Sequence, residues 1–114
     1  MTDHDWMEEF PGDITVCDPS GVILELNAHA ARTFQDRGGK QLIGTNLLDC
    51  HPEPSRSKLQ QMLDSQQGNS YTVEKNGVKK FVHQAPWYRN GEFAGLVEIV
   101  VVIPDPLPTV SRDT

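Results

Sequence analysis

Residues 93–103, FAGLVEIVVVI, are apolar at both odd and even positions, with Glu98 the one charge among them. Successive side chains of a strand point to opposite faces, so such a run must be covered on both and belongs at the centre of a sheet. The unbroken part is far shorter than the about 20 residues a helix needs to cross a bilayer. The chain must therefore supply other strands to flank this one, and a layer to cover it.

Strong turn signals show where those strands are. Asn76-Gly77 separates NSYTVEK from VKKFVHQAPWY, and RNGE at 89–92 leads into the central run. Asn-Gly is the strongest two-residue hairpin signal. Near the start, DITVCD and VILEL flank DPSG, where proline presets a turn and glycine suits the left-handed position. Pro86 predicts irregularity or exposure toward the end of its strand.

Helical segments fill the gaps. Residues 3–10 place Trp6, Met7 and Phe10 at helical spacing before Pro11-Gly12, a short amphipathic helix. Asn27 is a good N-cap for NAHAARTFQDR, which puts Ala30, Ala31 and Phe34 on one face and is stopped by Gly38-Gly39. PEPSRSKLQQMLDSQQG predicts a longer helix with Leu59, Met62 and Leu63 as its stripe, prolines in the first turn and Gly68 as the stop. The order is helix, two strands, two or three helices, then three strands. The α+β layer solution is a five-stranded antiparallel sheet with helices packed on one face. The expected boundaries are an N-terminal helix over 1–12, the domain over 13–103 and a proline-rich extended tail over 104–114.

The 114 residues suffice for one core without disulfide or metal. Ten basic against sixteen acidic residues give a net charge of −6, which disfavours nucleic acid and anionic membrane as partners. Lys75, Lys79 and Lys80 cluster only around a hairpin turn. Cys17 and Cys50 lack metal-site spacing, and no charged segment followed by an apolar one opens the chain. The expectation is a cytoplasmic protein with reduced thiols.

DPSGVILELNAHAARTF and QLIGTNLLD together resemble the opening of a PAS domain, through Asp18, Gly21, Ile23, Asn27, Ala30, Phe34, Leu42, Ile43 and Gly44. WYRNGEFAGLVEIVVVI is similar to that family's closing hairpin, and CHPEPS to a bacterial and archaeal PAS subgroup with Cys-His-Pro before its long helix. The resemblance spans about 13–103. It implies a sensory and dimerisation module whose sheet and helices enclose a small ligand cavity, and a leading helix that serves the dimer contact. One departure is the end of the last strand, where Ile103-Pro104-Asp105 replaces the frequent Asp-Ile-Thr and its signalling helix. In a complete protein the output would then be noncovalent, through a signalling partner. In an excised domain the tail would be a linker.

Candidate chemistry centres on Cys50-His51. Adjacent residues of an extended segment point to opposite sides, which makes a poor nucleophile pair, and neither an orienting group nor an oxyanion hole is evident. A helix N-terminus could activate Cys50 as a redox sensor, but a buried thiol beside a hydrogen-bonded imidazole at a helix start is commoner. TNLLDCHP lacks the residues around the photoactive cysteine of flavin-binding relatives, so a flavin adduct is rejected. Haem would need an axial donor, His51 or His83, and a satisfied strand histidine is commoner than a ligating one. The histidines have no convincing metal spacing, so no metal is expected. A ligand cavity, if occupied, is expected to be walled by Phe34, Leu47, Cys50, His51, Met62, Phe81 and His83. Trp6, Met7 and Phe10 are the expected homodimer contact, contributing on the order of 5 kcal/mol when buried. The function expected is a non-enzymatic sensory module. Its rivals are a small cavity enzyme using Cys50, His51 or His83, and a dimerisation module without ligand.

Overall fold

The computed structural model describes residues 5–113. Five strands, β1 (Asp13–Cys17), β2 (Ile23–Leu26), β3 (Asn69–Lys75), β4 (Val78–Arg89) and β5 (Glu92–Val102), form one sheet in the order β2-β1-β5-β4-β3. Every pairing is antiparallel. The doubly apolar run is β5, at the centre, as its pattern requires. Four α-helices accompany the sheet: α1 (Asp5–Glu8), α2 (Ala28–Thr33), α3 (Leu47–Cys50) and α4 (Ser55–Ser65). Two 3-10 turns, Gln35–Arg37 and Gly39–Leu42, link α2 to α3. This is the five-stranded antiparallel α+β fold expected.

The hairpins follow their turn residues. Asn76 and Gly77, then Asn90 and Gly91, all have positive φ, the left-handed pair that a tight hairpin requires. Asp18 Oδ1 accepts from Ser20 N (2.9 Å) and Val22 N (3.0 Å), closing the β1–β2 turn. β3 begins opposite Gln84, so Pro86 stands where β4 has no neighbour beyond β5. The free edge of β2 is covered by residues 44–46: Ile23 N donates to Thr45 O (2.9 Å) and Gly44 N to Ile23 O (2.8 Å). Leu47 N donates to Gly21 O (2.8 Å), which fixes the start of α3 against the first hairpin.

Two helix ends depart from the sequence expectations. α2 is shorter than its pattern, because the chain tightens into a 3-10 turn after Phe34 before reaching Gly38. α4 stops at Gln66, which takes the left-handed conformation itself (φ 58°). Gly68 serves a different need: a Cβ there would lie 2.1 Å from Gln84 O, so only glycine allows the chain to enter the sheet so close to β4.

Asn27 organises the N-terminal half. Its side chain accepts from Ala30 N (2.9 Å) as the cap of α2 and from Ile14 N (3.1 Å) on β1. Its amide donates to Met7 O (3.0 Å) and Gly12 O (2.9 Å). α1 is thereby tied to the sheet, and Lys40 adds a clasp through Glu8 Oε2 (3.1 Å) and Leu26 O (2.6 Å). The amphipathic stripe is divided as a result. Met7 is buried within the chain, Phe10 is half-buried beside Val101 over Gly12, and Trp6 remains 70% exposed. Asp3 and His4 of the expected helix lie outside the described residues. Residues 104–113 form neither helix nor strand and are exposed.

The core on the helical side is divided. Cys17, Leu59, Met62, Leu63 and Leu96 form one cluster, and Ile23, Leu26 and Ala30 form another. Leu47 packs against both.

Candidate ligand cavity

Between the two clusters lies a cavity of about 360 Å³, near the lower end of the roughly 300–1,000 Å³ common for small-molecule sites. The sheet supplies Thr15 and Cys17 of β1, Leu96 and Glu98 of β5, Gln84 of β4 and Tyr71 of β3. The opposite wall comes from Phe34, Arg37 and Leu42 after α2, Leu47 and Cys50 of α3, and His51 to Leu59 on the way into α4. A second hollow of about 440 Å³ adjoins it at His51, Ser55, Leu59, Tyr71, Gln84 and Glu98, and extends to Met62, Lys58 and Asn69.

The floor has a polar stripe. The registers Asn69↔Gln84, Gln84↔Glu98 and Thr15↔Glu98 place four polar residues in one rung across four strands. Gln84 Nε2 donates to Glu98 Oε2 at 2.7 Å. A carboxylate only accepts, so the amide nitrogen must face it, leaving Gln84 Oε1 as a further acceptor. Glu98 Oε1 has no donor among the described residues, nor does any Lys, Arg or His nitrogen there pair with Glu98. Burial, then the nearby charge of Glu98, pushes the Tyr71 phenol up, which keeps its proton in place.

The Cys-His corner is a junction between helices. Cys50 closes α3 and α4 starts only at Ser55, so the helix N-terminal field invoked to activate the thiol is not at Cys50. Cys50 is a half-buried free thiol in the cavity wall. Cys17 is buried beneath the cavity, and burial pushes its thiol up, away from reactivity. His51 Nδ1 lies 2.6 Å from Leu47 O. A carbonyl accepts, so Nδ1 donates and the neutral ring keeps Nε2 as an acceptor.

Of the residues expected in the wall, Phe34, Leu47, Cys50 and His51 line the main cavity, and Met62 lines the adjoining hollow. Phe81 and His83 do not. They stack on one another (centroids 5.8 Å apart) on the opposite sheet face, where His83 Nδ1 meets Ser70 Oγ at 2.7 Å. The inward positions of β4 are Val82 and Gln84. The choice of face failed because KKFVHQA has apolar residues at both parities and gives no signal between them. Arg37, Tyr71, Gln84 and Glu98 also line the cavity, although the sequence pattern does not single them out. A single carboxylate in an otherwise apolar central strand was the available sign.

No protein-family model matches the sequence, and no curated protein matches it. Solved structures do match. The Aer2 receptor of Vibrio cholerae, described as a dual PAS-heme oxygen sensor, superposes with a TM-score of 0.59 at 17% identity, over 82% of this chain and 95% of that one. A sensory box sensor histidine kinase from Vibrio cholerae gives 0.62 at 14%, with 88% of each chain covered. The PAS domain of an HTR-like protein from Haloarcula marismortui gives 0.60 at 18%, with 86% of each covered. The chain has the PAS fold.

Proposed function

We propose that this chain is a sensory module of signal transduction, working without turnover, that takes a small ligand between its two core clusters and signals through noncovalent contacts. The observation that carries this reading is the polar rung in the floor of a cavity whose wall is largely Leu, Ile and Phe. A carboxylate in a cavity wall, with one oxygen free of protein donors and open to solvent, is available to a ligand. The matching structures come from receptors and kinases, which supports a sensory role on the same fold. Native mass spectrometry and an absorbance spectrum of freshly purified protein test it. The expected result is an excess mass that disappears on denaturation. A mass equal to the polypeptide alone, in every preparation and with candidate ligands added, would leave the structural module standing.

Haem is the second reading, favoured by one observation. His51 is held through Nδ1 by a backbone carbonyl, the usual arrangement of a ligating imidazole. A Soret band lost in His51→Gln would establish it. A measured turnover abolished by alkylating Cys50 would instead support the enzyme.

The output surface proposed is a homodimer through Trp6 and the outer sheet face around Phe81, Ile99 and Val101, in the reducing cytoplasm. An exposed tryptophan on α1, and half-buried apolar side chains on β4 and β5 with Phe10 beside Val101, support it. Trp6→Ser should weaken dimerisation at least about tenfold in sedimentation. An unchanged association constant would place the interface elsewhere.

A further inference from the structure

We infer that the cavity selects a small organic cation, a protonated amine on an apolar body, with its nitrogen at Glu98 and Gln84. The inference rests on the ligand-sensing reading and narrows it to a chemical class.

The pole is acceptor-rich. Glu98 offers Oε1 with no donor, and Gln84, its amide nitrogen committed to Glu98, offers Oε1. Both sit in the wall of the cavity. Among the described residues, no side-chain nitrogen or oxygen sealed from solvent lacks a partner, so the open oxygen of Glu98 is reachable from solvent and not sealed in packed protein. Arg37 and Lys58 border the hollows at exposed positions without pairing to Glu98. A half-buried carboxylate with one neutral donor is stabilised most by a cation that also donates hydrogen bonds. An anion would meet like charge and two acceptors. Phe34, Leu47, Leu59 and Leu96 give the wall an apolar stretch, beside the polar His51, Ser55 and Tyr71, and that stretch suits a hydrocarbon or aromatic body.

Three probes of nearly one shape separate the alternatives: phenethylammonium, phenethyl alcohol and phenylacetate, titrated calorimetrically into the full chain at neutral pH. The ammonium should bind at least about tenfold more tightly than the alcohol, and phenylacetate should not saturate. In Glu98→Gln the ammonium should lose about ten- to a hundredfold, with the alcohol little changed. Phenylacetate binding as well as the ammonium, or an ammonium affinity unaltered in Glu98→Gln, would overturn the inference. Binding of the alcohol alone would also overturn it while leaving ligand sensing intact. Saturation by none of the three would overturn it too, and a native mass equal to the bare chain would then remove the sensing reading as well. The wild-type ranking needs no variant, so a poorly folding Glu98→Gln would not shield the inference.

Discussion

Asn27, fully buried, and Glu98, half-buried in the cavity wall, are two polar side chains that the protein treats differently. Asn27 is completely buried, and its amide meets four backbone partners within 3.1 Å. Glu98 is half-buried in the cavity wall, receives one bond from Gln84, and has no donor at its other oxygen among the described residues. A buried polar group that serves only the fold is saturated, because each unmet bond costs about 1–3 kcal/mol. An unsaturated one, held beside a space large enough for a molecule, has capacity reserved for something else. The contrast places Asn27 in the architecture and is the ground for proposing Glu98 as a binding group.

The sharpest way to break this contrast is to remove Asn27. Asn27→Ala deletes a helix cap and strands the buried groups at Met7, Gly12 and Ile14, so it should cost about 3–5 kcal/mol by urea denaturation. It should also open residues 5–12 to proteolysis. A loss below about 1 kcal/mol would mean that the knot is not the anchor its geometry indicates. His51→Gln lies between the two extremes. It removes the bond to Leu47 O that pins the junction of α3 and α4, and should cost about 1–2 kcal/mol. Glu98→Gln should change stability by no more than about 0.5 kcal/mol, even though the residue lies on the central strand. A large destabilisation would make Glu98 structural and remove the contrast.

The smallest effect lies at the entrance to α4. Glu53 accepts from Ser57 N (2.8 Å) and from the Ser57 hydroxyl, and these bonds lower its pKa from the ordinary 4.5. A carboxyl lowered in the folded state stabilises fully above its ordinary pKa and loses that contribution as pH falls through the lower, folded value. The melting-temperature difference between wild type and Glu53→Gln should therefore be constant above pH 5 and shrink in acid. A difference independent of pH down to pH 3 would contradict the role of the Ser57 bonds.

The same contrast explains what the sequence revealed. Asn27 was legible as a cap because capping is local, decided by the next few residues. Its bonds to Met7 and Gly12 were not, because they depend on how α1 folds back. The turn at Asn90-Gly91 was equally legible, and Arg89 does pair with Glu92. Continuing that ladder unbroken would set Gln84 opposite Val97. The bulge at Trp87/Tyr88 shifts the register by one, bringing Gln84 opposite Glu98 and both onto the cavity face. Pro86 announced an irregularity near this point, but not that it would be a one-residue shift in register, so the polar rung was hidden although every residue in it was visible. Four of the seven expected wall residues line the main cavity because Phe34, Leu47, Cys50 and His51 lie on short helices and turns whose inward side the first hairpin fixes.

Side-chain amide NMR tests the contrast most directly, since Asn27 and Gln84 both carry an NH₂ group. Phenethylammonium is titrated into ¹⁵N-labelled protein and the two pairs of resonances are followed together. The expected result is a saturable shift of the Gln84 amide, with the backbone amides of Thr15 and Glu98 moving on the same isotherm and the Asn27 amide fixed throughout. Movement of Asn27 with Gln84 unmoved, or no saturable shift at either, would contradict the assignment of one to the fold and the other to the ligand.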